Sequence, residues 1–560
     1  MMSNLNQSFE FLKKQKTNFG PEAATGKLKA LQNFKTFDNI RAGEIPEVHE
    51  LLLFIRTYPD SPDVLKAVGI CLDNLKKLLH QKRRSAPEAF RKRYADTGIA
   101  FSTVRHAPSP DIAEWLCRNF ENNLTDVSDP DAVERIGPVI SLLVSGAEQN
   151  GLEHESFDAH DWLKMAKGKR KTFLSWLAQR AKCMIEEEFV RDHIFETAQP
   201  EVEWNLDNVN ASRTGNIIES SNIYFQQRGF IKSDLHSLIQ EQMPPARLLK
   251  GKEVKNMYDS MCAVLAVRSR ETDPVTYAEK IYEAIPYPGL SVFLTEMRPT
   301  RKLPMENYTG YVAYRNGVPV AYGGGWMFGN RCEFGINIFE TFRGGENARL
   351  FAGLLKVYRN LCNARKFTVQ PYQFGADNDE GLKSGAFWFY YRMGFRPGPS
   401  NIKKLAAAEF KRLLSGKGGK TPLSLLRKFA GHPVELVLEP DPKHTEPKEI
   451  SIAVTRQIAA RFNGNTEAAL HHFYETTGKI LNIGNKKAFK GIQATGLRTW
   501  APVIALLPGT ASWTASQRSI VRNMLKCKSS DEMSFSKMFA ENGFFKEALY
   551  DLHKGKVNKG

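Results

Sequence analysis

Residues 308–327, YTGYVAYRNGVPVAYGGGWM, restrict the fold more than any other stretch of the chain. Two strand-like runs flank Asn316-Gly317, a dipeptide that accepts the positive φ angles of a tight hairpin turn. More strand candidates surround this hairpin: LSVFLTEM (290–297) before it, RCEFGINIF (331–339) and KFTVQPYQF (366–374) after it. Helical patterns are interleaved with them, at GKEVKNMYDSMCAVLAVRSR (251–270), DPVTYAEKIYEAI (273–285), NARLFAGLLKVYRNLCN (347–363) and the aromatic AFWFYYRMGF (386–395). Helices between strands predict an α+β domain with a central mixed sheet, placed at residues 223–430.

A chain of 560 residues exceeds what one core normally serves. Helical domains are expected on both sides, at 1–200 and 445–560. In SPDVLKAVGICLDNLKKLL (61–79), Ser61 is placed to cap, Pro62 suits the first turn, and Val64, Val68, Cys71, Leu75 and Leu79 form one stripe. The polar stretch 196–222 reads as one boundary and EPDPKHTEP (439–447) as another. In the last domain Val454, Ile458 and Phe462 share a face, and Asn463-Gly464 supplies a stop.

Hydrophobic content of 42% and charged content of 25% are those of a globular protein. No run approaches the ~18 apolar residues of a membrane span, and no secretory leader is visible, so a cytoplasmic protein is expected. Seven cysteines scattered singly suit reduced thiols. His154 and His160 do not share a helix face, and no metal is expected. The net charge of +17 suits an anionic partner, whether nucleic acid, a phosphate-bearing cofactor or an acidic protein; a solvated basic surface gives the same charge. Its densest window holds Arg396, Lys403, Lys404, Lys411, Arg412, Lys417, Lys420, Arg427 and Lys428 against Glu409 alone. SGKGGKT within it has Leu414 where a phosphate-binding loop needs glycine.

The strand RCEFGINIF runs through Arg343-Gly344-Gly345 into a helix, a place where free backbone N–H groups meet the positive end of the helix dipole. Here the chain resembles the GNAT acyltransferase superfamily, whose pyrophosphate loop reads Arg/Gln-x-x-Gly-x-Gly/Ala. Its later helix reads Ala-x-x-Phe-Tyr-x-x-x-Gly-Phe, which Ala386, Phe389, Tyr390, Gly394 and Phe395 match at every position. The resemblance covers residues 311–396 and implies acyl-CoA, most simply acetyl-CoA, as donor, with an unidentified, amine-type acceptor. It implies Arg343, Gly344, Gly345, Asn347 and Ala348 around the pyrophosphate, and the backbone N–H groups of Ile338 and Phe339 at the acyl carbonyl. Tyr390 becomes the acid that protonates the departing thiolate, as a phenol with pKa near 10 can. An amine must lose a proton before it attacks, so Glu333 is the expected base and Asn337, on the same strand face, a substrate contact; the alternative reading of Glu333, as exposed edge charge, is the commoner one for such a residue.

Two positions depart from the family. Lys383 stands where asparagine is frequent, with Asn378 upstream, and Glu346 occupies the loop's fourth position, where glycine is usual. A carboxylate facing phosphate would repel it, so Glu346→Gly is expected to leave donor binding intact or tighten it. The aromatic helix, apolar nearly all round, is expected to be covered by another domain. The alternative to an enzyme is a non-catalytic basic scaffold that uses the same fold to bind nucleic acid or an acidic partner. Between the two lies a donor other than coenzyme A, an aminoacyl-tRNA or an acyl carrier.

Overall fold

The computed structural model describes every residue except 1–3, 35–36, 38–39, 128–131, 153–158, 171, 231–233, 417–418, 442, 485–488, 490 and 559–560. His154 and Lys417 thus lie outside the described residues. The chain is a mixed α+β protein built on a nine-stranded sheet. Its strands are β4 (Arg247–Leu248), β5 (Ala278–Tyr287), β6 (Leu290–Met297), β7 (Asn307–Arg315), β8 (Val318–Phe328), β9 (Arg331–Ile338), β10 (Lys366–Val369), β11 (Arg396–Pro397) and β12 (Val434–Val437). They lie in the order β11-β12-β10-β9-β8-β7-β6-β5-β4. Every neighbouring pair is antiparallel except β9 and β10, which run parallel and are joined by the helix Asn347–Cys362.

The hairpin forms as its sequence predicts, with Asn316 and Gly317 both at positive φ. Its turn also anchors the N-terminal region. Asn316 Nδ2 donates to the carbonyls of Thr57 and Tyr224, at 2.8 and 2.9 Å, and Arg56 donates to the Asn316 carbonyl at 2.9 Å. Burying the turn in this way is possible because each of its polar groups has a partner.

Residues 273–285 are not one helix. A single turn, Asp273–Thr276, gives way to β5, which is held between β4 and β6. The apolar spacing there serves either period, and pairing with β6 decides it. Nor are the first 200 residues all-helical. A three-stranded sheet joins β1 (Thr103–His106), β2 (Leu124–Asp126) and β3 (Val202–Asn205), in the order β1-β3-β2. Strands of three or four residues are too short to show an alternation. The third of them falls inside the stretch read as a polar boundary.

The helix Pro62–Ser85 is capped by Ser61, whose hydroxyl accepts from the Val64 N–H, and the five stripe residues are buried. Beyond residue 445 the described elements are helices around Trp500, Phe535, Phe539 and Phe545, with Phe328 of β8 inserted among them.

The aromatic helix spans Ala386–Arg392. Phe389 and Tyr390 pack against Phe351 of the 347–362 helix, at 5.5 and 5.6 Å between centroids. The opposite side is covered by the two helices that follow it in sequence, Ser400–Leu414 and Leu423–Phe429, not by a separate domain. Trp388 stacks on Phe410 and Phe387 on Phe429, and the Trp388 indole N–H donates to Thr421.

Candidate active site

The parallel pair comes apart. β9 and β10 are in register from Arg331 and Lys366 only as far as Glu333 and Thr368. β10 then ends at Val369, and Pro371 opens a 3-10 turn, Pro371–Phe374. Proline lacks the N–H a further rung would need, so the ladder stops there. β9 continues to Ile338 with a neighbour only in β8, leaving a gap beside residues 335–338.

Strand alternation decides which amides face this gap. The Phe339 N–H donates to Val320 O at 3.0 Å, on the β8 side, so it is not available to an acyl carbonyl as expected. One residue earlier the amides turn the other way: Ile338, and Ile336 before it, direct theirs into the gap. The Ile338 amide thus faces the gap, unlike that of Phe339, and the Ile336 amide faces it too. The Ile338 carbonyl accepts from Arg343 Nε at 3.3 Å.

Tyr390 packs on the face of the sheet that the 347–362 helix covers. Its ring, 4% exposed, is packed among Phe351, Phe374 and Phe395. Burial pushes its pKa well above the ordinary tyrosine value, so the phenol is protonated throughout the neutral range. Its hydroxyl makes no hydrogen bond among the described residues. It is close enough to that of Tyr311 to perturb it electrostatically, and Tyr311 donates to the Gly335 carbonyl at 3.0 Å.

Glu333 approaches from the other face of β9. Phe334 turns toward the 347–362 helix, stacking on Tyr311 and meeting Phe351 and Tyr358, so Glu333, Gly335 and Asn337 point the opposite way. The Glu333 carboxylate is 29% exposed, and one oxygen, Oε2, takes both of its hydrogen bonds, from Gln370 at 2.8 Å and Arg331 at 3.1 Å. Oε1 makes no hydrogen bond among the described residues. Asn337 is exposed on the same side.

The loop is less open than its sequence implies. Gly344 has free space around it, but a Cβ on Gly345 would lie 2.6 Å from the Tyr58 hydroxyl. Tyr58 belongs to the N-terminal region and also sits against the Glu346 N–H. The Glu346 side chain does not face a ligand at all. It turns inward to Arg315 and Arg349, at 3.0 and 3.2 Å. Arg343 is exposed and paired with Glu380. Asn347 donates to the Arg343 carbonyl, and Ala348, half-buried, lies in a first turn that Glu346 does not cap with its side chain. Asn378 caps the helix Asp379–Ser384 and so has a structural task of its own. Beside the loop lies a cavity of about 460 Å³ lined in part by Lys13, Lys16, Arg213, Glu340 and Thr341.

The close approach at Gly345 makes a direct prediction. Gly345→Ala should cost about 1–3 kcal/mol of stability by overpacking, and less in a chain that also carries Tyr58→Ala. Unfolding midpoints of the single and double variants measure that coupling.

The residues that sequence reasoning missed here are Ile336, Tyr311, Gln370 and Tyr58. Pro371 was the available signal for the gap; nothing local marked Tyr58. Among the described residues no three His, Cys, Asp or Glu side chains gather as a metal site, and all seven cysteines are free. No family model, curated protein or solved structure matches this chain.

Proposed function

We propose that this protein is an acyltransferase of the GNAT type, which passes an acyl group from a thioester donor to an amine at the gap between β9 and β10. The observation that carries this reading is the parting of the parallel pair after Glu333 and Thr368. It frees two backbone amides at one opening, while the protonated Tyr390 phenol packs on the helix-covered face of the sheet and the Glu333 carboxylate stands on the opposite face. The strand order departs from the resemblance at one place, because LSVFLTEM, here β6, is an extra strand in the family's usual succession.

In this reading the acyl carbonyl accepts from the Ile336 or Ile338 N–H, which stabilises the oxyanion formed on attack. Glu333 Oε1, directly or through water, takes the proton from the acceptor amine. The tetrahedral intermediate collapses as the carbon–sulfur bond breaks, and Tyr390 protonates the departing thiolate. The donor's phosphates fit the loop less well, since Tyr58 covers Gly345 and leaves Gly344 and the first helical turn for them. That geometry favours a donor held chiefly by its acyl and pantetheine portion.

Calorimetric titration with acetyl-CoA, a long-chain acyl-CoA and S-acetylpantetheine tests this. Binding should raise the melting temperature by mass action, and S-acetylpantetheine, which lacks the pyrophosphate, should bind nearly as well as acetyl-CoA. No binding of any thioester at millimolar concentration would sink the enzyme reading. RNA binding that weakens steeply with salt would then support the scaffold.

A further inference from the structure

We propose that the paired helices Ser400–Leu414 and Leu423–Phe429 form a docking surface for an anionic membrane. Lys403, Lys404, Lys411, Lys420, Arg427 and Lys428 are all exposed there. None of the six is in an ion pair among the described residues. Glu409, the only acid in either helix, is nine-tenths buried and bonded to Arg412. On the first helix Lys404, Ala408 and Lys411 form one exposed stripe, with Lys403, Ala407 and Leu414 beside it. The outer face thus mixes lysines with small and apolar residues and bears no negative charge.

Large apolar side chains stand among these cations. Leu414 is 72% exposed at the end of the first helix, Leu423 is 44% exposed at the start of the second, and Leu405 also faces outward. Isolated exposed leucines are ordinary, but leucines ringed by unpaired lysines match an interfacial helix, where apolar groups enter the acyl boundary and cations meet the headgroups. Lysine stems reach along such a boundary while their charges remain in water.

The same charge would attract nucleic acid, but single strands are held largely by stacking on aromatic side chains. The rings near this surface are already engaged inward: Trp388 on Phe410, Phe387 on Phe429, and Tyr391 beneath Arg396 at 3.9 Å. What remains outside is leucine, and it favours lipid.

The test is co-sedimentation of the full chain with vesicles of phosphatidylcholine alone, or phosphatidylcholine mixed with phosphatidylserine. The chain should sediment only with the mixed vesicles. The triple variant Lys403→Gln, Lys404→Gln, Lys411→Gln should partition on the order of 100-fold more weakly, since each cation near an anionic surface contributes about fivefold. Leu414→Ser with Leu423→Ser should also weaken binding, at unchanged charge and unchanged melting temperature. Failure to sediment with mixed vesicles, or indifference to either set of changes, overturns the proposal. So does binding of single-stranded RNA that the leucine variants leave intact while vesicles are ignored.

Discussion

Glu346→Gly should destabilise the protein by about 3–5 kcal/mol, the cost of leaving buried charge without its partner. The loop resemblance by itself speaks only to donor binding, which it expects to hold or tighten, because glycine is usual at that position and its introduction removes a negative charge from the expected phosphate site. The structure turns the carboxylate around. Its side chain is 2% exposed, and Arg315, its first partner, 3%. Arg349 lies one helical turn on, with its guanidinium 4.2 Å from the Tyr287 ring. Arg315 is fixed as well by the Pro288 carbonyl and by the ring of Tyr224. Remove the carboxylate and two guanidinium groups face each other with no anion between them. The backbone gains nothing in return, since Glu346 has φ −82°, which any residue adopts. Urea unfolding at unchanged m-value reads the loss. A wild-type midpoint together with tighter acyl-CoA binding would show that the carboxylate faces the ligand after all.

This reversal shows where the sequence stops being legible. The hairpin, β9, the crossover helix and β10 announce themselves locally, through Asn316-Gly317, alternation and apolar stripes. Even the gap was written in the chain, because Pro371 ends β10 while β9 has no such breaker. The five clustered rings are also explained by packing: two face Phe351, and three face the helices that follow. Glu346 could not be read in the same way. Its partners lie at the end of β7 and one turn into the helix, and only the tertiary fold brings Arg315 to it. Tyr58 over Gly345 is a contact between the N-terminal region and the loop before the 347–362 helix, with no local mark at either position. The Phe339 amide was misassigned for a smaller reason. Strand parity gives alternate amides to opposite sides, and one residue of register separates a free N–H from one bonded to Val320.

Tyr390→Phe should lower turnover on the order of 10²-fold or more while leaving the fold intact. The two consequences separate cleanly because of how the side chain is held. Its ring packs against Phe351, Phe374 and Phe395, and phenylalanine preserves all three contacts. Its hydroxyl has no hydrogen-bond partner among the described residues, so removing it leaves no donor or acceptor stranded, and the melting temperature should hold or rise. A structural hydroxyl behaves differently: losing a satisfied buried hydrogen bond costs about 1–2 kcal/mol and leaves activity per folded molecule unchanged. If Tyr390 protonates the thiolate, the deficit should shrink with donors whose thiols are more acidic, because a better leaving group needs the proton less. Donor affinity should stay near wild type, since the loss falls on the transition state and not on binding. Tyr391→Phe is the control, because that ring faces Phe410 and Phe387, away from the gap. Initial rates for both variants across a series of thioesters decide the matter. A Tyr390→Phe enzyme as fast as wild type with every donor would leave the gap without its acid.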